Sequence, residues 1–407
     1  MNRAESERLA ARFSALGYTE APRIEAADIV VVNSCVVRKH AEDKVVNKLH
    51  NLKALKRRLP YIRIVLTGCF VGQDTAELYK LFPYVDDFLK PGELPDWLPE
   101  AACMSVAPIP SAVSAFVPII QGCNNFCTYC IVPYRRGREK SRQVEEVVCE
   151  VQQLAQRGVK EVTLVGQNVD SYGNDLPSKP NLAYLLTELN GIDGLMRLRF
   201  LTNHPKDMSA VLIDTMARLD KICHQINLPV QSGDDTILHA MHRGYKVADY
   251  CALIARLRQA MMDIAITTDV IVGFPGESDE QFQNTYQLLA KLKFDAVHVA
   301  AYSPRSGTLA ANNFVDDVPL VTKKARLAAV ELLQEQIAGD INASFLGKTL
   351  EVLVDGTNKG RWQGRTRSDK MVFFSGGENL QGETVMVSIE KTSSWSLQGK
   401  LYAKQSQ

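Results

Sequence analysis

Between residues 116 and 302, short runs of β-branched and other apolar residues alternate with longer stretches whose apolar positions recur at helical spacing. That alternation predicts parallel strands joined by crossover helices. Strands are expected at 116–120, 161–165, 196–201, 224–228, 264–272 and 295–302. The helix after the first strand places Val144, Val147, Val148, Val151 and Leu154 on one face, with Gly158 suited to its C-terminal cap. A later helix opens on Ser278 with Gln281 three residues on, the pattern of a capping box. Six strand–helix units are too few for a closed eight-fold barrel, so the prediction is an open (β/α)6 partial barrel with helices outside.

The flanks read differently. Residues 1–100 carry strand-like runs at 28–33 and 62–67 around a basic helical stretch through Lys56-Arg57-Arg58, which predicts a small α/β domain. An Ala, Pro and Ser-rich linker is expected at about 101–114. After a helix near 323–345, the tail from 349 to 403 breaks into short strands with Gly and Asn/Asp turns, and a small all-β barrel is expected there. The domains are therefore placed at 1–100, 109–340 and 341–405.

With 407 residues and 46% hydrophobic content, each domain can bury a core. The formal net charge of +1 gives no global field to attract a polyanion, so nucleic-acid contact must come from local patches. The N-terminus carries acidic residues without an apolar core segment, and no apolar run approaches the roughly 18 residues of a membrane span. A cytoplasmic protein without membrane contact is expected. Nine cysteines in a reducing compartment are expected to act as ligands or catalysts where they cluster.

In barrels of parallel strands the chemistry sits on loops leaving the C-terminal strand ends. The unusual motifs fall there: GCNNFCTYC after the first strand, Gly166-Gln167-Asn168 after the second, then TNHP, LPVQSGDD, GFPGES and SPRSGT. Cys123, Cys127 and Cys130 are close enough to face one metal centre. A four-iron cluster normally takes four cysteines, so three leave one iron open to a substrate. The alternatives are a zinc site completed by a distant His or Cys, and a closed electron-transfer cluster using Cys149.

CNNFCTYC matches the CxxxCxxC signature of the radical S-adenosylmethionine superfamily. The resemblance implies a [4Fe-4S] cluster whose open iron is chelated by the methionine amino and carboxylate groups, with cleavage to a 5′-deoxyadenosyl radical. It also implies cofactor contacts by Tyr129 beside adenine, by Gly166, Gln167 and Asn168 at the methionine amino group, by Ser232 within Val230–Gly233 near the ribose, and by Gly273 within the adenine-side motif 270–277. The order of an N-terminal cysteine domain, a radical domain and a terminal β-barrel is similar to the methylthiotransferase family. NSCVVRKHAEDKV, LPVQSG and DDVP look most like the branch that inserts sulfur and a methyl group at a prenylated adenosine beside the anticodon. Other branches act on threonylcarbamoyl adenosine or a ribosomal-protein aspartate, and an inactive iron–sulfur RNA-binding protein is the reading of another class. The terminal segment with GRTR resembles the RNA-binding TRAM domain.

That resemblance implies a second [4Fe-4S] cluster on three cysteines, two of which map to Cys35 and Cys69. The third is expected in a strand–turn segment ahead of residue 2, with a start assigned downstream of the true one as the simplest account. Cys103 in the linker is the alternative supplier. Without that ligand, sulfur insertion is expected to fail while cofactor cleavage survives. The implied partners are tRNA, an electron donor such as flavodoxin or ferredoxin, and a sulfur donor. RNA contact is expected from Arg135, Arg136, Arg138, Lys140 and Arg142 beside the cysteine loop, and from Lys359, Arg361, Trp362, Arg365, Arg367 and Lys370 in the terminal barrel. His204 is expected to cap a strand end rather than carry a proton; Asn203 stands where the family usually shows Ser. Cys223, Cys251 and the pair Met261-Met262 are expected in the core.

Overall fold

The computed structural model describes residues 1–34, 39–72, 75–98 and 113–402. Cys35, Cys103 and the linker as far as residue 112 lie outside the described residues. The chain divides into two compact units, one of Met1–Pro110, Ile120–Lys140 and Ser303–Asn313, the other of Ser111–Ile119, Ser141–Tyr302 and Phe314–Gln407.

In the first unit, β1 (Ile29–Ser34), β2 (Arg63–Gly68) and β3 (Asp87–Leu89) form a parallel sheet in sequence order. Parallel neighbours need crossovers, which helices Lys39–Arg58 and Ala76–Leu81 supply. Val45, Leu49 and Leu52 recur at helical spacing and pack with Ile62, Ile64 and Leu66. Each fully buried aliphatic side chain contributes about 1.5–3 kcal/mol. Ser34 pairs with Gly68 in the register, so β1 and β2 end together. Only glycine fits at 68: its φ is +92°, and an added Cβ would meet the Ser34 carbonyl oxygen at 2.4 Å.

Along the chain follow β4 (Ser114–Pro118), two-residue β5 (Ile120–Gln121) and β6 (Lys140–Ser141), then β7 (Glu161–Val165), β8 (Arg197–Phe200), β9 (Gln225–Asn227), β10 (Ala265–Val272) and β11 (Ala296–Ala301). In the second unit β4-β7-β8 and β9-β10-β11 are parallel sheets, and a bridge between Leu198 and Ile222 joins them. All six expected strands form, and the open partial barrel is present. Along β10, Ile266, Thr268, Val270 and Val272 are buried while Thr267, Asp269 and Ile271 on the other face stay partly open. The helix Val144–Gln156 buries Val144, Val147, Val151 and Leu154, leaves Val148 half-buried, and ends at Gly158 with φ +95°. Ser278 Oγ accepts from Gln281 N at 3.2 Å and Gln281 Oε1 from Ser278 N at 2.9 Å, completing the expected capping box.

Two core expectations need correction. Met261 is buried but Met262 is 95% exposed: Met261 leaves the helix Val247–Ala260 in extended conformation, and Met262 lies in the turn that follows. Cys223 is buried as expected, whereas Cys251 is only half-buried.

After the helix Leu320–Ala343 come β12 (Thr349–Asn358), β13 (Arg361–Arg365), β14 (Met371–Ser375), β15 (Thr384–Thr392) and β16 (Leu397–Leu401), closed into the expected barrel. Val352, Val354, Val372, Phe374, Val387 and Ile389 fill it. This barrel packs at the N-terminal ends of the partial-barrel strands. Arg197 donates to the Arg365 carbonyl oxygen at 2.7 Å and to Glu351 at 2.8 Å; Arg199 donates to the carbonyl oxygens of Thr366 and Arg367 and to Glu161. Lys370 pairs with Asp295 at 2.7 Å, just ahead of β11.

Candidate functional site

The cysteine loop is tightly braced within the first unit. Gly122 has φ +82°, and an added Cβ would meet the Arg138 carbonyl oxygen at 2.1 Å. Cys123 N donates to the Gly137 carbonyl oxygen at 3.2 Å and Cys130 N to the Cys127 carbonyl oxygen at 2.9 Å. Asn124 donates twice to Glu139 at 3.1 Å, and the Arg138 guanidinium lies 4.2 Å from the Phe126 ring centroid. Residues 303–313 brace the far side, Ala310 N donating to the Thr128 carbonyl oxygen at 2.7 Å. Cys127 is buried; Cys123, Cys130 and Tyr129 are half-buried.

Cys69 belongs to the same unit, at the end of β2, and packs with Ile131, Phe70 and Tyr134. Arg136 Nε donates to its Sγ at 3.1 Å. This corrects one expectation: Arg136 does not face an RNA phosphate, because its side chain is 2% exposed and paired with Glu5. Burial alone would lower the Arg136 pKa; Glu5 and the Cys69 sulfur reverse that and hold it raised. Arg135 lies against Gly72, while Arg138 and Lys140 are exposed. In the second unit Arg142 is paired with Glu150 at 2.6 Å.

Among the described residues no three His, Cys, Asp or Glu side chains converge on a single ion. A cluster, which binds each cysteine at a separate iron, asks for a wider spread than one zinc does. The donor set fits a cluster: three cysteines on one braced loop, and in Cys69 a sulfur already receiving a charged N–H, as a thiolate does.

In the second unit, the loops after β7 and β8 interlock. Asn168 donates to Asp207 at 2.7 Å, while its Oδ1 is buried without a partner among the described residues. Asp170 accepts from Asn203 Nδ2 at 2.5 Å and His204 N at 2.9 Å. Burial pushes the Asp170 carboxyl up to about 7. Burial, with Arg243 and Lys206, pushes His204 down to about 2, so its imidazole is neutral at physiological pH and carries no titrating proton. Asn203 Oδ1 and His204 Nε2 are likewise buried without partners among the described residues. Buried groups of this kind call for a partner, which a polar ligand or an ordered water supplies. Thr202 and Gln231, at φ +73° and +71°, hold strained backbone after β8 and β9.

Ser232 is fully buried, its hydroxyl 3.3 Å from Thr285 Oγ1 and accepting from Asp234 N at 3.2 Å. It therefore braces the loop, a correction to the expectation that it faces a ribose. Gly273, φ +69°, donates its N–H to Glu277 at 2.6 Å, and Glu277 is held by Arg326 at 2.7 Å. Gly166 is buried and Gln167 half-buried. Sequence reasoning missed the row Asn227, Asp269 and His298: Asn227 donates to Asp269 at 3.0 Å, and Asp269 is the register partner of His298. The partly open face of β10 was the available signal.

In the terminal barrel, Arg367 corrects a further RNA-contact expectation, since it donates to the backbone oxygens of Asp220 and Ile222 and is committed to holding the barrel in place. Lys370 is committed likewise, and Arg365 pairs with Asp369 at 3.0 Å. Lys359 and Arg361 stay exposed, and Trp362 Nε1 donates to the Gly377 carbonyl oxygen at 3.2 Å.

Three family models match: the Radical SAM superfamily over residues 117–289, the Uncharacterized protein family UPF0004 over 1–90, and the TRAM domain over 343–402. The chain is 55% identical over 403 residues to the tRNA-2-methylthio-N(6)-dimethylallyladenosine synthase of Dehalococcoides mccartyi (strain CBDB1), covering 98% of this chain and 96% of that one. It is 47% identical to the synthase of the same name from Chloroflexus aurantiacus, covering 98% and 89%. A solved structure of the radical S-adenosylmethionine methyltransferase TsrM from Kitasatospora setae aligns with TM-score 0.48 and 14% identity, covering 73% of this chain and 65% of that one.

Proposed function

We propose a function from the premise that the chain belongs to the tRNA-2-methylthio-N(6)-dimethylallyladenosine synthase family of radical S-adenosylmethionine enzymes: it converts N(6)-dimethylallyladenosine beside the tRNA anticodon to its 2-methylthio derivative. The observation that carries this reading beyond a generic radical enzyme is that Cys69 shares one compact unit with the Cys123/Cys127/Cys130 loop, Arg136 of that segment reaching its sulfur. Sulfur insertion calls for two iron–sulfur groups, and this arrangement supports a pair.

When bound, the clusters and S-adenosylmethionine supply the electron, the radical and the methylthio group. We assign Cys123, Cys127 and Cys130 to the first cluster, and Cys69 with Cys35 to the second. Gly166, Gln167 and Asn168 are assigned to the methionine end of the cofactor, the open Asn168 Oδ1 accepting from its ammonium. Tyr129 and the Gly273 turn are assigned to the adenosine end. Arg138 and Lys140 by the cysteine loop, with Lys359, Arg361 and Trp362 in the terminal barrel, are the exposed groups assigned to the tRNA backbone and bases. A flavodoxin- or ferredoxin-type electron donor and a separate sulfur donor complete the proposal. Among the described residues no helix is long and apolar enough to cross a membrane.

Mass spectrometry of tRNA nucleosides from a strain lacking the gene tests this. The methylthiolated nucleoside should vanish and N(6)-dimethylallyladenosine accumulate. Loss of a methylthiolated threonylcarbamoyl adenosine instead would assign the chain to another branch, and an unchanged profile would refute the proposed activity.

A further inference from the structure

Arg136 leaves the short helix Val132–Arg136 and is enclosed in the first unit. Its terminal nitrogens donate to Glu5 at 2.5 and 3.2 Å and to Asn2 Oδ1 at 3.0 Å. Its Nε donates to Cys69 Sγ at 3.1 Å. Glu5 is the carboxylate paired with this cation, and the Nε N–H is directed at a sulfur. A neutral thiol is a weak acceptor and a thiolate a strong one, so this buried contact is worth most when Cys69 is an anion or a metal ligand. Asn2 in turn donates to the Ser34 carbonyl oxygen at 2.5 Å and accepts from Asn33 Nδ2 at 2.9 Å. One guanidinium therefore ties the segment bearing Cys123, Cys127 and Cys130 to the end of β2 and, through Asn2, to the end of β1, next in sequence to Cys35.

We infer that Arg136 is a positioning residue for Cys69: anchored by Glu5 and Asn2, its guanidinium fixes the sulfur as an iron ligand and adds positive charge beside the iron–sulfur group that sulfur holds. The inference rests on the reading of Cys69 as a ligand. Hydrogen bonds and positive charge at a cluster sulfur favour the more negative, reduced state, so the guanidinium raises the reduction potential. Glu5 tempers that effect by partly neutralising the charge.

The test uses the full chain carrying Cys123→Ala, Cys127→Ala and Cys130→Ala, reconstituted anaerobically, so that only the group on Cys69 remains. Iron and sulfide per chain, the electron paramagnetic resonance spectrum of the reduced form and the midpoint potential are then measured. Adding Arg136→Gln should move the midpoint negative and alter the spectrum, with Arg136→Lys restoring part of the shift. Adding Glu5→Gln should move the midpoint the opposite way, a pair of signs that a merely structural role does not produce. Unchanged midpoint and spectrum in both variants, with iron retained, would overturn the role of Arg136 and leave Cys69 a ligand. No iron in the triple variant, or iron unaffected by Cys69→Ala, would sink the ligand assignment and this inference with it. Where Arg136→Gln does not fold, the Glu5→Gln shift decides.

Discussion

Replacing Asp170 with asparagine is expected to reshape how stability depends on pH. The residue's surface is partly open, but its carboxylate is enclosed by protein, and that enclosure governs its proton. Burial lifts it from 3.8 to about 7 against the opposing pull of the hydrogen bonds from His204 N and Asn203. A folded-state pKa above the unfolded one means that the folded protein holds the proton more tightly. The resulting stabilisation is complete below the unfolded value and is lost as pH rises through about 7. Three pKa units correspond to about 4 kcal/mol, of which about 2–3 kcal/mol disappears between pH 5 and pH 8. His204 stays neutral throughout that window and does not confound it. Asparagine keeps the shape without the proton, and Asn203 can turn its unpartnered Oδ1 toward the new amide. Urea denaturation of both proteins at pH 5, 6, 7 and 8 gives the comparison. The wild type should lose about 2–3 kcal/mol relative to Asp170→Asn across the series; a difference constant to about 0.5 kcal/mol would refute the reasoning.

Two further outcomes follow from packing and backbone geometry. Arg199→Ala leaves Glu161 buried without its 2.9 Å partner and removes two bonds to the terminal barrel, so a loss of about 3–5 kcal/mol is expected in denaturation, and less than about 1 kcal/mol would contradict it. Gly273→Ala forces a side chain into φ +69° with its Cβ 2.4 Å from Lys323 Cγ, and should cost about 1–3 kcal/mol. It should also weaken S-adenosylmethionine binding in equilibrium dialysis, whereas unchanged affinity would remove the turn from the cofactor's surroundings.

The partial barrel was legible because its strands are short β-branched runs of one local period, and the capping box because Ser278 and Gln281 are three residues apart. The three-cysteine loop was legible for the same local reason. What sequence could not show depends on partners far apart in the chain. Arg136 looked like one of a run of surface cations until its partners, 67 and 131 residues away, enclosed it. Arg367 looked like a nucleic-acid contact until the backbone of Asp220 and Ile222 claimed it. Asp170 attracted no notice, since its raised proton affinity arises from a fold that closes around it. In each case the charge was visible and its surroundings were not.

The seat of the terminal barrel sets a length requirement. It is fastened at the starts of the strands, through Arg197, Ile222 and Asp295, whereas the strained turns and open amides lie where the strands finish. The longest strand of the partial barrel, β10, has eight residues and so measures about 26 Å from end to end. A molecule gripped at one end and altered at the other must bridge that distance with a rigid body of its own. A folded nucleic-acid arm held by the terminal barrel would meet that requirement, whereas a free nucleoside is too short to span it.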